Sequence, residues 1–262
     1  MRVSRFLVIS LLSVLSLLGL AIPASAATGK YVALGDSYSS GLGAGSYGSS
    51  GSCKRSANAY PQLWANSHAP SAFSFVACSG AKTGDVLANQ VGAITSDTAL
   101  VTISIGGNDA GFASVMTDCN TGSDSYCVQR NQEAQNYARN TLPAKLDQVY
   151  AQIRSRAPSA RVLVVGYPHI YQLNGSCWIG LSETKRAAIN QSSDVLAQVT
   201  AGRVAAAGFT FVDARPAFTG HEICASGARW INSVTWPIEE SYHPNVAGQN
   251  GGYFAAVRAV TG

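Results

Sequence analysis

Three short polar blocks in this sequence could together contain a reactive site. They are Gly35-Asp36-Ser37, Cys78-Ser79-Gly80 and Gly106-Gly107-Asn108-Asp109, and each directly follows a short apolar run. The hydroxyl of Ser37 can act as a nucleophile when a base lies within hydrogen-bond distance, and that base is most often a histidine. Because serine also commonly caps helices, a nucleophilic Ser37 requires a fold that brings a histidine to it.

The spacing of apolar residues predicts the elements that would position these blocks. Short apolar runs predict strands at 30–35, 73–78, 100–105, 161–166 and 209–213, and helical spacing predicts helices at 59–67, 83–91, 132–156, 182–206 and 247–260. Buried strands that alternate with helices indicate an α/β fold, a three-layer α/β/α sandwich around a mainly parallel sheet. Ligand sites in such sheets lie at the carboxyl ends of the strands, so the three blocks should meet at one edge.

These blocks and a fourth, His243-Pro244, resemble the motifs of the SGNH/GDSL hydrolases. The resembling residues are Gly35-Asp36-Ser37-Tyr38, Gly80, Gly107-Asn108-Asp109 and His243-Pro244, in the order that the family has them. They extend over nearly all of the chain after residue 26, and the sequence is most similar to small secreted bacterial GDSL lipases and phospholipases A1 with three disulfides. The resemblance implies the flavodoxin-like SGNH fold.

The resemblance also implies a role for each matching residue. Ser37 corresponds to the nucleophile and His243 to the base that takes its proton and returns it to the leaving alcohol. The backbone N–H groups of Ser37 and Gly80 and the side-chain amide of Asn108 correspond to the donors of the oxyanion hole. Asn108 could instead be an ordinary turn residue after two glycines.

Other polar residues near the blocks are interpreted as supporting ones. Asp36 and Asp109 are expected to hydrogen-bond the loops that hold Ser37 and Asn108. His169 follows a predicted strand and could line the site. His68 and His221 are interpreted as structural or surface residues.

The sequence departs from the family at the residue that orients the histidine. Where the family has an aspartate three positions before the histidine, this chain has Glu240. A glutamate could orient the imidazole of His243, but its extra methylene moves the carboxylate. A main-chain carbonyl such as that of Ser241 could fix the tautomer instead. Both alternatives stay open from the sequence.

The first 26 residues have the pattern of a secretory signal peptide. A basic start with Arg2 and Arg5 precedes an apolar run over 6–22, and Ala24-Ser25-Ala26 resembles a signal-peptidase site. A membrane anchor is the alternative, which the short apolar run disfavours. We therefore expect residues 1–26 to be removed, residues 27–262 to form a single domain, and the protein to be secreted.

Six cysteines remain in that mature part, an even number that is typical of disulfides in an exported chain. Their order suggests the pairs Cys53–Cys78, Cys119–Cys127 and Cys177–Cys224, one of fifteen possible sets. No spacing of cysteines or histidines indicates a metal site, and no cofactor motif is present.

The predicted activity is hydrolysis of lipid esters by a phospholipase A1, a triacylglycerol lipase or both, with transient contact to a lipid interface. An esterase for acetylated polysaccharide is the alternative, and a non-catalytic binding module on the same fold is a weaker one. Removal of Arg2 and Arg5 lowers the formal net charge from +4 to +2, which gives no argument for nucleic-acid binding. We expect a monomer. Lipid class, sn-1 against sn-2 selectivity and acyl chain length are not determined by these residues.

Overall fold

The computed structural model describes residues 29–178 and 180–262. The predicted signal peptide, residues 1–26, lies outside the described residues. Among the described residues, no helix combines the length and the apolar character needed to cross a membrane.

Five strands form one parallel sheet at the centre of the fold. They are β1 (Lys30–Gly35), β2 (Phe73–Phe75), β3 (Thr98–Ser104), β4 (Arg161–Val165) and β5 (Thr210–Val212). Their order is β2-β1-β3-β4-β5, and all neighbouring pairs are parallel. The prediction of a parallel α/β sheet is confirmed, with β1 at its predicted bounds and the ends of the other strands shifted by at most three residues. The strand that follows β1, β2, lies on one side of β1, and the next strand, β3, lies on the other side. The direction in which strands are added to the sheet therefore reverses beside β1, and sheets of this type form a ligand crevice at such a point.

Nine α-helical segments surround this sheet in the described part of the chain. They are α1 (Ser37–Ser40), α2 (Tyr60–His68), α3 (Thr83–Asp85), α4 (Phe112–Thr121), α5 (Asp124–Asn140), α6 (Leu142–Arg156), α7 (Glu183–Ala206), α8 (Arg215–Phe218) and α9 (Ala255–Thr261). Wider π-type turns at 86–90 and 248–254 continue α3 and precede α9. The helices predicted at 83–91 and 247–260 are therefore present, each as an α-helical stretch joined to a π-type one. The helices α4 and α8 were not predicted.

The single helix predicted over 132–156 is wrong, because two helices occupy this stretch. Pro143 lies in the first turn of α6 and has no backbone N–H to donate. Its ring would also clash with the carbonyl four residues earlier, so one helix cannot continue through it. The helix before it, α5, begins at Asp124, where the hydroxyl of Ser123 accepts a hydrogen bond from the backbone N–H of Tyr126 at 3.2 Å.

Both faces of the sheet are buried, as the continuous apolar strands predicted. On one face Tyr31 and Ala33 of β1 pack in a cluster with Trp64 of α2. On the other, Val32 and Leu34 join a cluster that contains the apolar stripe of α6. Full burial of an aliphatic side chain stabilises a fold by about 1.5–3 kcal/mol, so these two layers fix the direction of β1 and the turn after it.

Three disulfides link loops in the pattern that the cysteine order suggested: Cys53–Cys78, Cys119–Cys127 and Cys177–Cys224. The first fastens the loop after α1 to the turn that follows β2. That turn contains Gly80, so the disulfide lies beside the predicted site.

We predict that Gly35→Ala destabilises the protein, because no space for a side chain exists at the end of β1. Gly35 has φ +124°, and a Cβ there would lie 2.6 Å from the carbonyl oxygen of Ser104 on the neighbouring strand. Backbone strain and this contact together should cost about 2–3 kcal/mol and lower the melting temperature by several degrees, measured by thermal unfolding.

The matched control is Gly84→Ala. A Cβ on Gly84, in α3, meets no atom within 4 Å, so its melting temperature should be unchanged or slightly higher. Equal melting temperatures for the two variants would contradict the prediction.

Candidate active site

Ser37 and His243 are in direct contact although 206 residues separate them. Ser37 is the first residue of α1, in the turn directly after β1. Its Oγ lies 2.8 Å from Nε2 of His243. The two side chains are buried, with exposed fractions of 6% and 8%. The fold therefore brings together the serine and the histidine that the sequence analysis selected.

The imidazole of His243 is oriented by a backbone carbonyl. Its Nδ1 lies 2.9 Å from the carbonyl oxygen of Ser241, which can only accept, so Nδ1 carries the proton and donates it. Burial lowers the pKa of His243 to about 4, although the hydrogen bond to Ser241 opposes the shift. At neutral pH the ring is therefore uncharged, and its Nε2 accepts from the hydroxyl of Ser37.

The carboxylate of Glu240 has a different partner. Its Oε1 accepts a hydrogen bond from the hydroxyl of Tyr47 at 2.6 Å, and that hydroxyl accepts from the backbone N–H of Gly43 at 2.9 Å. These contacts fasten the turn before His243 to the loop that follows α1. Of the two candidates left open by the sequence, Ser241 contacts the imidazole and Glu240 contacts Tyr47.

The predicted oxyanion donors lie in three neighbouring turns. Ser37 is the first residue of a helix, so its backbone N–H has no partner within that helix. Gly80 has φ +80°, a backbone conformation that favours glycine, and a Cβ there would meet open space. Nδ2 of Asn108 donates to the carbonyl of Ala81 at 3.0 Å, which places this amide against the turn that contains Gly80.

The carboxylate of Asp109 joins two of these turns. It accepts hydrogen bonds from the backbone N–H of Thr83 at 2.9 Å and from the hydroxyl of the same residue at 2.6 Å. Asp109 thus holds the turn after β3 to the start of α3, which is the supporting contact expected from the sequence.

Asp36 joins the serine turn to the other side of the site through Tyr167. Its carboxylate accepts from the backbone N–H of Tyr38 at 3.0 Å and from the Tyr167 hydroxyl at 2.5 Å. That hydroxyl in turn accepts from the backbone N–H of Gly107 at 3.2 Å. Burial raises the pKa of Asp36 to about 7, although both hydrogen bonds oppose the shift. This role of Tyr167 was not predicted, because its only signal in the sequence is its place just after the end of β4.

An apolar pocket opens at Ser37 and extends between α4, α5 and α7. The space inside it is about 700 Å³, including the part open to solvent. Its walls are aromatic and aliphatic, with Phe112, Val115, Met116, Ile170, Ile189 and Leu196 among them. The pocket also has a polar patch, formed by Asn131, Gln135 and Ser192. The amide of Gln135 donates to the hydroxyl of Ser192 at 3.2 Å, and that hydroxyl donates to Asn131 at 2.8 Å.

The other three histidines have partners other than Ser37 and His243. Nε2 of His169 lies 2.7 Å from Asp194, and the ring of His221 stacks on Trp230 with centroids 3.6 Å apart. Nε2 of His68 lies 2.7 Å from the carbonyl of Gly262. Over residues 29–178 and 180–262, no three histidine, cysteine or acidic side chains are grouped so that they could hold a metal ion.

Comparison with known proteins places this arrangement in a family. Residues 33–250 match the family described as GDSL-like Lipase/Acylhydrolase. This chain belongs to that family. It is an ester hydrolase of the lipase type, and Ser37, Gly80, Asn108 and His243 lie within the matched residues.

Relatives in the family match most of the chain. Lipase 1 of Streptomyces coelicolor is 61% identical over 230 residues, which are 87% of this chain and 85% of that protein. The crystal structure of an extracellular lipase from Streptomyces rimosus has 57% identity and a TM-score of 0.86, covering 88% of this chain and 98% of that one. The crystal structure of phospholipase A1 from Streptomyces albidoflavus NA297 has 54% identity and a TM-score of 0.87, covering 89% and 99%.

We predict that Glu240→Ala reduces turnover by less than about tenfold. Its carboxylate hydrogen-bonds Tyr47, so its loss loosens the turn before His243 without removing the carbonyl contact to the imidazole. Loss of an aspartate that fixes the histidine tautomer costs about 10⁴-fold in a serine protease. The measurement is kcat on a water-soluble ester.

Glu239→Ala is the matched control, because the carboxylate of Glu239 forms an ion pair with Lys54 at 3.1 Å. The substitution leaves in place the backbone of Glu239, which hydrogen-bonds His243. A loss near 10⁴-fold that is specific to Glu240→Ala would show that the carboxylate orients His243 after all.

Proposed function

We propose that this chain is a secreted carboxylic-ester hydrolase that releases fatty acids from lipid esters through an acyl-enzyme on Ser37. The observation that carries the proposal is the 2.8 Å contact between Ser37 Oγ and His243 Nε2 at the mouth of an apolar pocket. The contact supplies an activated nucleophile, and the pocket supplies a place for an acyl chain.

The reaction has two halves. In the first, His243 takes the proton of Ser37 as its oxygen attacks the ester carbonyl, and then returns that proton to the leaving alcohol as the ester C–O bond breaks. In the second, water loses its proton to His243 and attacks the acyl-enzyme, and the proton returns to Ser37 as the fatty acid leaves. Burial of His243 favours the uncharged imidazole, so the ring gives its proton up readily at each step.

Negative charge that develops on the carbonyl oxygen is stabilised by the three donors. The backbone N–H groups of Ser37 and Gly80 and the amide of Asn108 have these roles in the proposal. Asn108 uses one amide hydrogen on Ala81, which leaves the second for the oxyanion. Loss of one such donor typically costs about 10²–10³-fold in kcat.

The shape and chemistry of the pocket favour a fatty acyl group. The pocket between α4 and α7 is walled mainly by aliphatic and aromatic side chains, which suit the hydrocarbon of an acyl chain. The similarity to a lipase and to a phospholipase A1 supports the same substrate class. A binding module without activity would have no need of a buried Ser37–His243 contact.

We predict that Ser37→Ala abolishes fatty-acid release, with a loss of at least about 10³-fold, because no other group can form the acyl-enzyme. A diacyl phospholipid, a triacylglycerol and an acetylated xylan are offered in parallel, and released acid is measured. Ser71→Ala, an exposed serine before β2, is the matched control and should keep full activity. Acetate release from xylan alone would instead show a carbohydrate esterase.

The same experiment tests secretion. The S. rimosus relative is described as extracellular, and residues 1–26 have the pattern of a signal peptide. The protein is therefore collected from the medium of the expressing strain, and its N-terminus should lie near Ala27. Retention of the whole chain in the cells would contradict secretion.

Transient contact with the lipid interface is proposed through the loop that precedes His243. Val234, Trp236 and Ile238 in this loop are 59%, 86% and 60% exposed. The base of the loop is closed by the backbone N–H of Thr235, which donates to the hydroxyl of Ser241 at 3.0 Å. Exposed apolar residues therefore lie close to the residue that orients His243, and tryptophan is favoured at lipid–water interfaces.

We predict that Trp236→Ser lowers the rate on emulsified lipid by about tenfold, since the loop loses its largest apolar contact with the interface. The rate on a dissolved short-chain ester should stay within twofold of the unaltered enzyme. Trp236→Phe keeps an apolar ring and should retain the emulsion rate. Equal losses on the dissolved and the emulsified ester would refute the interfacial role.

A further inference from the structure

A second depression adjoins the acyl pocket at the proposed oxyanion hole. Its walls are the Cys53–Cys78 disulfide, Arg55, the turn that contains Gly80 and Ala81, and the side of the segment from Asp85 to Gln90. We refer to it as the Arg55 groove. The groove and the pocket meet where the amide of Asn108, which lines the pocket, donates to the carbonyl of Ala81, which lines the groove.

Arg55 is fixed at the wall of this groove. Its backbone N–H donates to the hydroxyl of Ser50 at 2.8 Å, and its Nη1 donates weakly to the carbonyl of Ala77 at 3.4 Å. The disulfide of Cys53, two residues earlier, and the backbone hydrogen bond from Ser79 to the carbonyl of Cys53 at 3.0 Å hold this segment against the turn. The guanidinium therefore lies next to the turn that contains Gly80.

The charge of Arg55 is not balanced by a neighbouring carboxylate. Among the arginines of the described residues, Arg130, Arg186, Arg203 and Arg215 form ion pairs, and Arg55 does not. A half-buried guanidinium with most of its five N–H donors unused suits an anion with several oxygens, since it can bind phosphate through two parallel hydrogen bonds.

The groove also contains one acidic side chain. Asp85 accepts a hydrogen bond from the backbone N–H of Lys82 at 2.9 Å and lies toward solvent. The groove therefore contains one guanidinium and one carboxylate, and these two groups do not pair with each other. Such a groove suits a ligand with one negative and one positive charge better than it suits a simple anion.

We infer that the Arg55 groove binds the head group of a zwitterionic glycerophospholipid, with the guanidinium of Arg55 on the phosphodiester. The inference rests on the proposed function and specifies its substrate class. With the acyl chain in the apolar pocket and the ester carbonyl at Gly80 and Asn108, the glycerol passes the turn and the phosphate enters the groove. Arg55 then makes the enzyme prefer phospholipids to uncharged acylglycerols as substrates.

The test compares two lipids that share both acyl chains and differ only in the head group. Phosphatidylcholine and the matching diacylglycerol are presented at equal mole fraction in the same nonionic detergent micelles, and kcat/KM is measured on each. Arg55→Gln should reduce kcat/KM on phosphatidylcholine by about 10- to 100-fold, the effect of one charge-assisted bidentate contact, and change it on diacylglycerol by less than twofold. Arg55→Lys, which keeps the charge, should recover part of the loss.

Arg139→Gln is the matched control, because Arg139 is exposed at the end of α5 and has no part in the groove. Equal losses on the two lipids would overturn the inference, since Arg55 would then only support the turn through Ala77. No loss on phosphatidylcholine would overturn it as well. If the unaltered enzyme hydrolysed neither lipid, the proposed function itself would fail, an outcome distinct from failure of the head-group inference alone.

Discussion

The carbonyl of Ser241 holds Nδ1 of His243 at 2.9 Å, and the chemistry of the site depends on that contact. A carbonyl fixes the tautomer of an imidazole without adding a negative charge, so burial decides the charge of the ring and keeps it neutral. The position of this carbonyl oxygen depends on how firmly the backbone of its loop is held. Two hydrogen bonds hold the loop that contains Ser241. The backbone N–H of Asn232 donates to the carbonyl of His243, which closes the loop. The hydroxyl of Tyr38 donates to the carbonyl of Tyr242 at 2.8 Å, which fastens the loop to α1.

The other half of the site is held by hydrogen bonds between turns that follow different strands. Asp109 joins the turn after β3 to Thr83, Asn108 joins the same turn to Ala81, and Tyr167 joins Gly107 to Asp36. Donors fixed in this way need no reorganisation when charge develops on a substrate oxygen, which is the largest contribution to catalysis in many enzymes. The parallel sheet makes such links possible because its strands all end at one edge.

Two depressions of different character meet at these turns. The pocket between α4 and α7 is lined mainly by apolar side chains, whereas the groove contains the charged side chains of Arg55 and Asp85. An amphiphilic ester whose carbonyl lies between them would have its acyl chain in one and its polar part in the other. The exposed loop around Trp236 adds a second apolar surface near His243, so the molecule is suited to a substrate that is itself part of an interface.

The sequence by itself determined the sheet and the order of its polar blocks, because the periods of strands and helices are local and the blocks follow strand ends directly. Ser37 and His243 were selected by their match to the motifs of the family, and the fold brings them into contact. Locally, Pro143 could have marked the break between α5 and α6, but the apolar spacing on both sides concealed it. Only the tertiary structure decided between Ser241 and Glu240, since that choice depends on the hydroxyl of Tyr47, 193 residues away. The link from Tyr167 to Asp36 and the Arg55 groove are equally non-local. They exist because the fold brings separate turns together, and no spacing along the chain encodes that proximity.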